Sequence, residues 1–244
     1  MQIIIESLII LIAGAIQGLT TFGFSLITIP FLSKLVPLKE CVPLVVILNF
    51  ISNAMILIGC IKEVRIKKIM LLLLASITIT PFGAYSLKYV NPTYLTLLVG
   101  AVLIVFSVLL IFQKTFPIKN ESVGYSVAGT LSGFLNGCLS MSGPPVVLFL
   151  SNQGVDKNTF RANLAFYFLI LNLATLTTYY INDLIYEVHF EKMIFYIPAL
   201  LIGVFFGIRL SKKLNDTLFK KITLIILLIS GIWTVVNVIT QAIV

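Results

Sequence analysis

From Ser122 to Val155 the chain reads SVGYSVAGTLSGFLNGCLSMSGPPVVLFLSNQGV, 34 residues without a charge. Asn136, Gly137, Ser140, Ser142, Gly143, Pro144 and Pro145 interrupt it at the centre. A single helix of that length would measure roughly 50 Å, against a hydrocarbon core of about 30 Å. Two helices meeting at the Gly/Ser/Pro break fit better, each roughly 20 Å long; they either turn back at mid-membrane or cross fully, and both give the same loop sides. Non-helical backbone at membrane depth persists only where protein buries it or where it lines a cavity. The stretch therefore predicts a hairpin whose broken tip forms part of a substrate site.

A second interrupted stretch lies near the start, SLIILIAGAIQGLTTFGFSLITIPFLS from Ser7 to Ser33, with its break around Thr20, Thr21, Phe22 and Gly23. At a spacing of 115 residues Gly14 falls on Gly129, Gly18 on Gly133 and Pro30 on Pro145; one residue out of register, Asn49 falls on Asn163. At 124, Gly83 falls on Gly207 and Asn91 on Asn215. Each interrupted stretch is followed by three apolar segments. The expected organisation is thus two repeats: residues 1–121 (hairpin 1–36, spans 41–61, 69–87 and 93–113) and residues 122–244 (hairpin 122–155, spans 162–182, 193–208 and 222–244). Paired interrupted segments in two halves point to a transporter's binding site, whereas ordinary kinked spans packed through small residues would give a similar pattern without one.

The fold class follows: an all-α polytopic membrane protein. Of 244 residues, 59% are hydrophobic and 11% charged, and the mean hydropathy is +1.10, which leaves no room for a soluble domain. The net charge of +8 does not call for nucleic acid, because the basic residues sit in short loops between apolar spans, as orientation in a bilayer requires. Cys41, Cys60 and Cys138 form no CxxC pair and indicate neither disulfides nor zinc. The first twenty residues are expected to stay in the mature protein, since Glu6 stands where a signal peptide would carry Lys or Arg.

Loop charge sets the sidedness. If each hairpin enters and leaves on one side, thirteen of the seventeen basic residues lie inside, in 62–68, 114–121, 156–161 and 209–221. Lys34, Lys39, Lys88 and Lys192 then lie outside, together with the acidic segment 182–191. Counting each hairpin as one crossing leaves only seven of seventeen inside, so the first arrangement is expected. It makes the two halves inverted with respect to each other, as in alternating-access transporters.

The nine carboxylates all fall in loops or near segment ends, which argues against an intramembrane cation site or carboxylate relay. The breaks instead offer Gln17, Thr20, Thr21, Gly23, Asn136, Gly137, Ser140, Ser142 and Gly143: neutral hydrogen-bonding groups, and glycines that expose backbone N–H. Ser142 resembles an N-cap, with Pro144 or Pro145 at the first helical position, and Thr20 and Thr21 stand similarly ahead of residues 24–32. Two half-helices would start inside the membrane with their positive ends converging, an arrangement that binds anions. The same hydroxyls would also serve simply to satisfy helix ends. Asn49 and Asn163 read either as interhelical hydrogen bonders or, because they recur in the repeat, as residues of the pore. Asn53 and Asn172 read as interhelical hydrogen bonders. Cys138 is a small apolar filler. Lys157 and Arg161 are loop charges that set topology or attract an anion at a cytoplasmic entrance.

The paired motifs GAIQGLTTFGFSLITIP (Gly14–Pro30) and GTLSGFLNGCLSMSGPP (Gly129–Pro145), with the later GIRLSKK (Gly207–Lys213), resemble those of the sulfite exporter TauE/SafE family. The resemblance covers essentially the whole chain. It implies a multi-pass permease of the inner or plasma membrane for sulfite, sulfoacetate, sulfonates or other small organic anions. Where the family often has a GGP-like turn, this chain has Ser142-Gly143-Pro144. The expected partners are a small anionic substrate, a coupling ion and the lipid bilayer, with no cofactor and no nucleic acid. An anion channel would need similar donors. A membrane-embedded enzyme is the alternative of a different class, but the sequence has no HExxH and only one histidine, His189, in an expected external loop.

Overall fold

The computed structural model describes residues 2–91, 93–95, 97, 101, 121–152, 156–185, 188–215, 217, 218, 221, 225, 229, 232, 233 and 236. The expected spans 93–113 and 222–244 fall almost entirely outside the described residues. Among those described, all regular structure is helical: α1 (Gln2–Thr20), α2 (Phe24–Leu32), α3 (Leu38–Ile58), a short 3-10 turn (Ile61–Glu63), α4 (Ile66–Tyr89), α5 (Glu121–Leu139), α6 (Gly143–Asn152), α7 (Lys157–Ile181) and α8 (Val188–Lys213). Five of these helices, α1, α3, α4, α7 and α8, carry stretches long and apolar enough to cross a bilayer. The chain is a multi-pass membrane protein.

Both breaks fall where the sequence places them, between α1 and α2 and between α5 and α6. Their halves are unequal, however. Two pieces of roughly 20 Å were expected of the second hairpin, but in both hairpins the leading half has 19 residues and the trailing halves have 9 and 10. At 1.5 Å per residue a leading half is about 28 Å long. The difference arises because Gln17 and Asn136 remain helical, so the ladder runs on until Thr21 and Ser140 take left-handed φ values of 76° and 56°.

Other expectations are corrected. Segment 156–161 is not a loop: Asp156 is the N-cap of α7, accepting from the N–H groups of Asn158 and Thr159 at 3.0 Å, and Lys157–Arg161 are its first turn. Those bonds, that from Thr159 foremost, hold the Asp156 carboxyl below the usual aspartate range. Residues 188–191, expected as external loop, open α8, which runs 26 residues rather than the sixteen of 193–208. Glu6 is a helical residue with 0% exposure. It accepts from Gln2 Nε2 at 2.9 Å and from the Tyr196 hydroxyl, and lies 3.7 Å from Lys192 Nζ. A carboxylate can be that buried only because cation and donors surround it.

Packing is crossed between the halves. α1 runs parallel to α8, α5 runs parallel to α4, and α3 lies on α7. Glycine stripes let the backbones approach. A Cβ on Gly133 would sit 2.2 Å from Ser76 O, and one on Gly207 only 2.0 Å from Ala15 O. Along the α4–α5 seam, Ser76 Oγ donates to Gly129 O at 2.8 Å, and Tyr167 OH reaches both Ser76 Oγ (2.5 Å) and Ser132 Oγ (2.8 Å).

Lysines tie helix ends together. Lys39 Nζ at the start of α3 donates to Lys88 O near the end of α4 (2.7 Å), and Lys88 Nζ to Asn182 O (2.9 Å). Lys157 Nζ at the start of α7 likewise donates to Ser211 O (3.1 Å) and Leu214 O (2.5 Å) at the end of α8. These bonds satisfy last-turn carbonyls that the helix ladder leaves over.

Candidate functional site

The two breaks meet. Ser25, at the second position of α2, donates through Oγ to Ser140 Oγ at 3.4 Å, and a Cβ on Gly143 would lie 3.2 Å from the Phe22 side chain. Asn49 bridges them from the middle of α3: its Nδ2 donates to Ser25 Oγ (2.5 Å) and Ser140 Oγ (3.1 Å). All three residues are buried. Ser140 accepts from both neighbours, so its own O–H is not used by the junction.

Amide pairs flank this centre on either side. Gln17 Nε2 donates to Asn53 Oδ1 (3.2 Å), and its Oε1 accepts from Phe24 N (3.0 Å), capping α2 from the helix before it. Asn136 Nδ2 donates to Asn172 Oδ1 (3.3 Å) and Thr175 Oγ1 (2.7 Å). Gln17 and Asn136 stand 119 residues apart, as do Asn53 and Asn172, and the left-handed pair Thr21 and Ser140. The hairpin contacts thus recur one helical turn away from the 115-residue register of the glycine alignment. At 124, Gly83 and Gly207 do make like contacts, Gly83 against Phe134, Gly137 and Cys138, and Gly207 against Ala15, Gly18 and Leu19. A glycine every four residues looks the same after a shift of four; the amide pairing removes that ambiguity.

α7 holds the C-terminal ends of both leading halves. Arg161, 6% exposed, donates from Nη1 to Leu19 O (2.6 Å) and from Nη2 to Gly18 O (2.7 Å). Tyr179 OH donates to Gly137 O at 2.7 Å. The first break is therefore tied by a cation, the second by a neutral phenol. Charge at a helix C-terminus matters because the dipole is negative there.

Three buried side-chain atoms among the described residues have no hydrogen-bond partner: Thr21 Oγ1, Thr28 Oγ1 and Asn136 Oδ1. Thr21 and Asn136 lie in or beside the breaks. Thr28 follows Ser25 by three residues, which puts it on the same face of α2. Isolated orphans of this kind are uncommon and call for an explanation such as a ligand or water.

The expected site residues separate as follows. Asn49 and Ser140 form the junction with Ser25; Gln17 and Asn136 flank it in the amide pairs, and Thr21 is the left-handed residue of the first break. Ser142 lends its carbonyl to Ser132 Oγ (2.7 Å), and Gly143, not a proline, is the first residue of α6. Thr20 does not cap α2; its hydroxyl turns back to Ile16 O (2.8 Å), and Gly23 occupies the N-cap with no side-chain bond. Gly137 packs against Thr80, Gly83 and Ala84 of α4. Asn163 lies apart from the junction, its Oδ1 accepting from Arg65 N at 2.8 Å. Sequence reasoning missed Ser25, Thr28, Thr175 and the buried place of Arg161. Ser25 and Thr28 were legible as polar positions spaced by three just after a break; Arg161 was not, since a basic residue beside Asp156 and Lys157 looks like loop charge.

No curated protein and no solved structure matches the chain. A family match does cover residues 7–234, nearly its whole length. With its crossed pairs of broken helices around a buried polar junction, the chain belongs to the sulfite exporter TauE/SafE family of membrane transporters.

Proposed function

We propose that the chain is a secondary transporter that moves a small anion, a sulfur-containing oxyanion or organosulfonate such as sulfite or sulfoacetate, by alternating access at the tips of its paired broken helices. The observation that carries this is the buried junction of Ser25, Asn49 and Ser140 across the two breaks, beside the orphaned hydroxyl of Thr21. The Thr21 and Ser140 hydroxyls and the first-turn N–H groups of α2 after Phe24, whose own N–H is taken by Gln17, supply neutral donors. Such donors suit an oxyanion that must also leave, because they bind it without a fixed salt bridge. Arg161 adds positive charge where the carbonyls of α1 would otherwise repel an anion.

The like contacts at spacings of 119 and 124 support a division into two repeats, 1–121 and 122–244. In an inverted pair, one half rocks against the other around the shared junction.

Two measurements test the proposal. The purified protein in detergent should show a selective rise in melting temperature with sulfite or sulfoacetate and none with chloride. A ligand at 100 times its dissociation constant adds about 2.7 kcal/mol. Absence of any anion response in folded protein would sink the anion reading.

The Thr21→Gly variant should separate stability from function. Glycine relieves a β-branched residue held at φ 76° and removes a buried, unbonded hydroxyl. That gain, about 1–2 kcal/mol, offsets the roughly 0.5–1 kcal/mol entropic cost of glycine. Melting should be unchanged or higher while substrate flux in proteoliposomes falls tenfold or more. Full flux would remove Thr21 from the site.

A further inference from the structure

The two breaks, alike in backbone, differ in chemistry one turn before the shared junction, at Gln17 and Asn136. We propose that the second break, at Asn136 in the last turn of α5, binds a monovalent cation of the sodium type, which serves as the coupling ion. The coupling role rests on the transport reading above; the binding site does not.

The amide residue at each break places its nitrogen identically, Gln17 on Asn53 and Asn136 on Asn172. The oxygens part company. Gln17 Oε1 reaches Phe24 N and caps the trailing helix. Asn136 is one methylene shorter, and its Oδ1 finds no donor although the residue is 0% exposed. With Thr175 Oγ1 donating its one hydrogen back to Leu171 O (2.8 Å), the Asn136 atom 2.7 Å from it is the donor, Nδ2, and Oδ1 is the atom left over. An unpaired, fully buried acceptor calls for a donor or a cation and repels an anion.

Three further features agree. α6 opens Gly143-Pro144-Pro145, and the prolines remove two of the four N–H groups that a helix start would offer an anion. The C-terminal carbonyls of α5 present the negative end of its dipole here. The side-chain donor on them is the neutral Tyr179, where α1 has Arg161. Finally, the side chains bonded to Asn136 are neutral, Asn172 and Thr175, with no carboxylate among them. Half-helix C-termini and unwound backbone carbonyls hold Na⁺ in membrane carriers, whereas divalent ions are usually held with carboxylates.

The test is the melting temperature of the full chain in sodium, lithium, potassium or choline chloride at equal ionic strength. Sodium at ten times its dissociation constant should raise melting by about 3 °C or more over choline. Asn136→Leu, shown folded by its elution profile, should lose that rise. Asn136→Asp, which keeps an acceptor and adds charge, should lower the half-saturating sodium concentration at least threefold; this variant decides the matter if the leucine protein does not fold. Equal melting in sodium and choline, a sodium rise that survives in Asn136→Leu, or an unchanged sodium dependence in Asn136→Asp would each overturn the site. An anion response without a sodium response overturns this inference alone. A sodium response without any anion response supports this site and removes the anion reading.

Discussion

Replacing Arg161 with methionine is expected to destabilise the protein by about 3–5 kcal/mol and to abolish transport. The guanidinium is buried and holds Leu19 O and Gly18 O at 2.6 and 2.7 Å. Methionine fills similar volume but leaves two carbonyls at the end of α1 without those donors, each loss being that of a hydrogen bond to a charged group. It also uncovers the negative end of the α1 dipole next to Thr21. Lysine keeps the charge but not the two-pronged geometry, so Arg161→Lys should recover part of the stability and less of the flux. Melting curves together with flux at saturating and limiting substrate separate the two roles. Were Arg161 only a topology determinant, Arg161→Lys would behave as wild type in both.

The second large effect is expected at the α4–α5 seam. A Cβ at Gly133 would lie 2.2 Å from Ser76 O and 2.7 Å from the Ser76 carbonyl carbon and Cα. Those are backbone atoms, so no rotamer change clears the space. Gly133→Leu must force α5 off α4 and break the Ser76 and Tyr167 bonds that bind the same surface. The loss should exceed the 1–3 kcal/mol typical of overpacking, and little monodisperse protein should be recovered. Gly133→Ala, with one carbon to place, should fold with melting lowered by several degrees. A leucine variant that purifies and melts like wild type would show that the helices do not approach as described.

Part of this molecule was legible before any coordinates. The uncharged, interrupted stretches announced two broken helices because apolar length and Gly/Pro/Ser punctuation are local properties, and the bilayer fixes what such lengths mean. Breaks at 20–23 and 140–143 follow from the same local chemistry. The family was legible too, in glycine and proline placement over the whole chain.

Other features were not local. A stripe of glycines four residues apart cannot report its own register, so the sequence could slide by one turn; the pairing of Gln17 with Asn53 and of Asn136 with Asn172 removes that freedom only once α3 and α7 lie alongside. Arg161 and Glu6 read as end charges because burial is decided by what packs over a residue. One is buried against the carbonyls of α1, the other between α1 and α8. Asn49 and Asn163 looked equivalent by spacing, yet one bridges the two breaks and the other accepts from the backbone of Arg65. The sequence by itself determined a membrane protein with two uncharged, broken hairpins and the polar groups available at their tips. Tertiary structure alone decided which of those groups meet and which oxygen and hydroxyl are left without a partner, because hydrogen-bond satisfaction depends on neighbours brought from distant parts of the chain.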